Sequence, residues 1–179
     1  MRNAEFGRGS WYARGLAALA MMGAIWGMSA ASVLRADEPK KKDDPALARA
    51  RDQAQMLDSL YKNAVISVTN KYEGPPAIKV AKDVFGAMEK GGWHKAKLVD
   101  ASGSPQNEAN LPQTAFEKRA VKHIKAGQAY YDEVIPGEND TRTLHVATIV
   151  PAVTVKCAKC HGVKEGDLLG FIRYEIPIK

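Results

Sequence analysis

Two cysteines in 179 residues are too few for a disulfide-held scaffold, and they stand only two residues apart, so no well-spaced pair exists to close a loop. Aromatics are sparse at 7%, and no basic stripe interleaves with them, which argues against a nucleic-acid groove. Charge of one sign is only mildly in excess. Of the net +6, half lies before Asp37, where four Arg meet one Glu. The +3 left to the body is a weak bias toward an acidic small-protein partner or the carboxylates of a cofactor. Paired carboxylates, a nucleophile elbow, a phosphate loop, a second Cys/His cluster and internal repeats are all missing. The chain therefore reads as a non-enzymatic protein of one domain.

Long apolar runs are missing too, with one exception. Arg2, Arg8 and Arg14 precede a run from Gly15 to Leu34, and small residues follow at Ser29-Ala30-Ala31 and Leu34-Arg35-Ala36. A positive segment, an apolar segment and small residues make a signal peptide over residues 1–36. The run is also long enough to span a bilayer if it stays uncleaved, as an anchor helix. Both readings place the body outside the cytoplasm, in the periplasm, with membrane contact only in the second. Residues 37–45, with four acidic and three lysine side chains and two prolines, read as a charged linker.

The body, residues 46–179, opens with helical periodicity. Leu47, Ala50, Ala54, Leu57, Leu60, Ala64 and Val68 recur at steps of three and four over Pro45 to about Lys71, with Asp44-Pro45 as cap and first turn. Gly74-Pro75-Pro76 breaks the chain. A second helix is predicted over Ala77 to Lys90, with Ile78, Ala81, Val84, Phe85 and Met88 on one side and Gly91-Gly92 as its stop. Trp93 to Val99 reads as a strand, Ala101 to Pro112 as a polar loop, and Gln113 to Ala126 as a third helix ending at Gly127. Tyr130 to Ile135, Thr143 to Val150 and Leu168 to Ile178 read as strands, the first two joined by a Pro-Gly-Glu-Asn-Asp turn. Helices first and strands later indicate an α+β fold around an antiparallel sheet.

The cysteine pair sits in Cys157-Ala158-Lys159-Cys160-His161. Two thiols two residues apart match the two vinyl groups of one porphyrin edge, and the adjacent imidazole reaches the iron. The segment is thus expected to attach one c-type haem through Cys157 and Cys160, with His161 as the proximal iron ligand and Gly162 relaxing the backbone at the exit. A thioredoxin-like pair needs a strand before and a helix after the motif, whereas Gly162, Gly166 and a strand follow here. A zinc site needs further ligands. A plain disulfide leaves His161 unexplained. Candidates for a sixth ligand are His94, His123, His145 and Met88, beside an open position; Met56 and Met88 follow helical spacing and read first as core fillers, Met88 being the better ligand candidate of the two. Arg142, Lys156 and Arg173 are candidates for pairing with the haem propionates, against a reading as solvated surface charge. Glu117, Asp132 and Glu133 read as ordinary helix and strand surface.

From about Val65 onward the chain resembles a family of PAS-like c-type haem domains, found in front of signalling modules and as free periplasmic cytochromes. The resemblance is carried by Ala77-Ile78, Gly92-Trp93, Asn110-Leu111-Pro112 leading to Phe116-Glu117, Pro151, the block Cys157 to Gly162, and Gly166-Asp167-Leu168-Leu169-Gly170. It implies a PAS-like sheet with N-terminal helices. That family usually has a Cys shortly after the Ala-Ile pair, and in such members this thiol can be the second axial ligand; Ala81 stands at the matching position. An Arg on the first strand and an Arg-Asn-Pro turn are replaced by Lys95, Lys97 and Gly103-Ser104-Pro105. The expected roles are electron transfer with a periplasmic redox partner, or redox or gas sensing that passes a signal to a separate protein because the chain ends at Lys179. A small diatomic ligand is expected if the sixth position is open. A peroxidase-type haem enzyme and a non-haem thiol–disulfide protein are the alternatives.

Overall fold

A computed structural model of the chain describes residues 44–74 and 77–179; the expected signal peptide or anchor and nearly all of the linker lie outside them. Asp44 starts the first helix, α1 (Pro45–Lys71), by accepting the Leu47 N–H at 3.0 Å. Its buried stripe is Ala50, Ala54, Leu57 and Tyr61. Leu60, expected on that stripe, is 60% exposed. The contact line passes through Tyr61, whose ring packs edge-on against Phe85, and Leu60 falls on the flank.

The second helix, α2 (Ala77–Lys90), buries Ala77, Ala81 and Phe85. Gly92, with φ 71°, reverses the chain, and the Trp93 N–H returns to the Met88 carbonyl at 3.1 Å. That bond holds Trp93 in the helix exit. The first strand, β1, accordingly runs Lys95–Asp100 and leaves Trp93 exposed rather than pleated. The loop that follows contains one 3₁₀ turn at Glu108–Asn110. Helix α3 (Ala115–Lys125) begins on a capping box: Thr114 accepts the Glu117 N–H, and the Glu117 carboxylate accepts the Thr114 N–H.

Strands β2 (Tyr130–Pro136), β3 (Arg142–Pro151) and β4 (Leu168–Pro177) complete the chain, with a short helix α4 (Val155–His161) between the last two. The sheet has four strands in the order β1-β4-β3-β2, all antiparallel neighbours. This is the α+β, PAS-like antiparallel sheet with N-terminal helices that the sequence predicted. Alternation puts Leu144, Val146, Ile172, Tyr174 and Ile176 into a core with α1 and α2. The opposite face, with Val99, Ala147 and Phe171, packs on Phe116, Ala120 and Ile124 of α3. The last strand fits between β1 and β3 because of Gly170. A Cβ there would lie 2.2 Å from the Val99 carbonyl oxygen, so no other residue permits that approach.

Candidate functional site

Helix α4 carries the Cys-x-x-Cys-His segment. Its cap is Thr154, whose hydroxyl oxygen accepts the Cys157 N–H at 3.1 Å while its proton is directed to Cys157 Sγ at 3.0 Å. The segment is helical, which sets Cys157, Cys160 and His161 at i, i+3 and i+4 on adjoining positions of one surface. Both thiols are free; Cys157 is half-buried and Cys160 exposed. Ala158 is the buried anchor that seats the helix.

The exit matches the reading of Gly162, which caps α4 in the left-handed region at φ 67°. From outside, Gln106 Nε2 donates to the Cys160 carbonyl at 2.6 Å, and Lys156 Nζ donates to the Thr69 carbonyl at 3.0 Å. Behind the helix, Ala152 closes the loop by donating to the Asp167 carbonyl and accepting from Gly166. Four segments thus hold a seven-residue helix too short to be stable alone.

His161 borders a cavity of about 430 Å³. Its walls are Ala101, Ser102 and Ser104 after β1, Lys125 at the end of α3, Val163, and Asp167, Leu168 and Leu169 at the start of β4. Apolar and polar lining are mixed, as in a site that takes an amphipathic ligand. Two reduced thiols beside one imidazole that faces such a space form a donor set that fits a covalently held haem.

None of the other four expected ligands lines this cavity. His94 is 3% exposed in the α1 core. Its Nε2 bonds Tyr61 Oη at 2.9 Å, its Nδ1 is buried without a partner, and burial pushes its pKa down. His123 stacks on Tyr131, with ring centroids 4.0 Å apart, and pairs with Gln128 at 2.9 Å. His145 lies mid-β3, facing α3, edge-on to Phe116. Burial pushes His145 down against the opposing pull of Glu175 and Glu133, its in-register neighbours on both sides. Met88 is half-buried on α2, and Ala81, at the position of the resembling family's thiol, is buried in the core with α1.

The three cations proposed for propionates are engaged elsewhere. Arg142 pairs with Asp44 at 2.5 Å, Lys156 bonds Thr69, and Arg173 bonds Glu117 at 2.9 Å and Glu175 at 3.0 Å. Arg173 is only 13% exposed, so it is no surface charge.

Glu117 departs furthest from its expected place. Read as helix surface, it is fully buried. Its carboxylate accepts the Gln113 and Thr114 N–H groups at 2.7 and 3.0 Å, bonds Arg173, and lies 3.6 Å from Lys97 Nζ. Burial alone would raise its pKa; the two backbone donors and the two cations outweigh that and hold it below the usual carboxylate range. The signal was present as Thr114-x-x-Glu117, a capping-box spelling. Asp132 and Glu133 also differ from free surface residues, pairing with Arg51 and Arg119 across from α1 and α3.

Comparison with known proteins gives one family match. A model described as Tll0287-like covers residues 37–174. Among solved structures, the crystal structure of the cyanobacterial heme-protein Tll0287 aligns with a TM-score of 0.49 and 14% sequence identity, over 75% of this chain and 96% of that chain. No curated protein matches.

Proposed function

The chain belongs to the Tll0287-like family of PAS-like haem domains, and from that premise we propose that it is an exported protein carrying one covalently attached c-type haem, acting in electron transfer or in redox or gas sensing. The observation that carries this reading is the placement of two free thiols and His161 on one surface of α4, with His161 bordering a cavity. Each thiol S–H adds across one vinyl C=C, making one C–S and one C–H bond with no by-product. Thr154 orients Cys157 for this, and the exposed Cys160 is open to the attaching machinery. His161 supplies the proximal nitrogen. Bound there, the haem supplies a one-electron iron couple and, where its sixth position is open, a site for a diatomic ligand.

The absence of His94, His123, His145 and Met88 from the cavity walls favours an open sixth position, and with it ligand sensing as much as electron transfer. An export leader fits a thioether-attached cofactor, and a periplasmic redox protein or a separate signalling protein is the expected partner. The test is expression in a host that attaches haem. Acid-acetone should leave the haem on the chain, intact mass should show one haem, and Cys157→Ala or Cys160→Ala should each remove one thioether. A chain recovered at the apo mass refutes the proposal. Sequencing the mature N-terminus separates a cleaved signal from an anchor.

A further inference from the structure

The cavity beside His161 has one basic side chain other than the histidine itself, Lys125, and the surrounding hydrogen bonds leave it without an assigned task. A lysine in the last turn of a helix ordinarily serves the terminal carbonyls. Here the backbone already does so: Ala126 N donates to the Lys122 carbonyl, Gly127 N to Ile124 and Gln128 N to His123. Lys125 and the Ser104 hydroxyl, both exposed to solvent at the cavity's rim, have no ion-pair or hydrogen-bond partner among the described residues. The other polar walls are committed. Ser102 donates to Asp100 at 2.6 Å and accepts from Ser104 N at 3.0 Å; Asp167 accepts from Lys164 N at 2.8 Å. The apolar walls, Ala101, Val163, Leu168 and Leu169, complete an amphipathic lining.

From this, and resting on the haem reading above, we infer that Lys125, assisted by the Ser104 hydroxyl, receives the carboxylate edge of the cofactor. A propionate of a haem bound at His161 is met most directly by an uncommitted cation that borders the same cavity. Arg142, Lys156 and Arg173 are bonded to Asp44, Thr69, and Glu117 with Glu175. Asp167, the one carboxylate among the cavity's walls, would repel the propionates and so favour the lysine. A charge-assisted hydrogen bond from an ammonium group to a propionate stabilises the ionised carboxylate and, through its positive charge, the reduced iron.

Lys122 provides the matched control. It stands in the same last turn of α3, carries the same charge, and does not line the cavity. The experiment is a spectroelectrochemical titration of the haem-loaded protein at low and at high ionic strength, for wild type, Lys125→Gln, Lys125→Arg and Lys122→Gln. The expected result is a lower reduction potential in Lys125→Gln at both salt concentrations. Lys125→Arg should stay near wild type and Lys122→Gln should be unchanged at high salt. Equal shifts in the two Gln variants, or no shift in either, would overturn the inference, since the lysine would then act only as distant surface charge. Haem content measured on the same samples separates the two claims. A wild-type chain without covalent haem defeats the functional proposal; a loaded chain indifferent to Lys125 defeats this one alone.

Discussion

Replacing Glu117 by Gln keeps the shape of a fully buried side chain and removes its charge. The amide oxygen can still accept from the Gln113 or Thr114 N–H, so the α3 cap survives in part. The amide NH₂ then faces Arg173 and Lys97, which lose their shared anion. Removing one partner of a buried pair costs about 3–5 kcal/mol. Two features place this case at the lower end. Arg173 keeps Glu175 at 3.0 Å, and Lys97, with 29% of its side chain exposed, can turn to water. The expected loss is therefore about 3 kcal/mol, on the order of a 10 °C fall in Tm for a domain of this size. Urea unfolding followed by far-UV circular dichroism measures it. The pH dependence gives a second check. A carboxyl whose folded pKa lies below its free value of 4.5 contributes stability that is present above that value and lost as pH falls through the folded pKa. The wild type should lose this contribution below about pH 4.5, and Glu117→Gln should show a flatter acid limb. A cost under about 1 kcal/mol, the level of an exposed pair, with an unchanged acid limb would refute the reasoning.

Gly170→Ala should be more damaging than a methyl group suggests, because its Cβ would meet the Val99 backbone at 2.2 Å; β1 must separate from β4, at about 2–3 kcal/mol, visible as lost amide protection on β1. His94 is held neutral by burial, so it contributes stability above its free pKa of 6.5 that is lost as pH falls toward the lowered folded value. His94→Gln keeps an acceptor for Tyr61 and should flatten that decline; His145, shifted the same way, accounts for what remains, and an unaltered slope would show that His94 is solvated. With none of His94, His123, His145 and Met88 in the cavity walls, the ferrous haem-loaded protein should bind carbon monoxide readily, and an absorption spectrum unmoved by the gas would show that a protein ligand has closed the sixth position.

Much of the architecture was legible because its causes are local. The helix Pro45–Lys71 is a run of three- and four-residue steps behind an Asp-Pro cap, and Ala77–Lys90 ends where a glycine takes positive φ. The turn before β3 places Asn139 and Asp140 at φ 53° and 57°, a conformation those residues tolerate best after glycine. The Cys-x-x-Cys-His motif is also local, since three chemistry-bearing side chains lie within five consecutive positions.

What the sequence left open depends on which distant segment arrives beside which. Leu60 and Tyr61 fit the same periodic stripe; Phe85 on α2, His94 and Tyr174, all distant in the chain, turn Tyr61 inward. Glu117 looked solvated because its stabilising partners, Lys97 and Arg173, are 20 and 56 residues away, and meet it only once β4 has entered between β1 and β3. The same insertion brings Leu168 and Leu169 against the end of α3 and so creates the wall that Lys125 shares with His161. Sequence by itself determined most of the helices, strands and turns and the position of one Cys-x-x-Cys-His pentapeptide, because those follow from side-chain spacing and backbone preference. The tertiary structure alone decided which charges are buried and which cation shares a cavity with His161, because a charge takes the partner that the fold sets beside it.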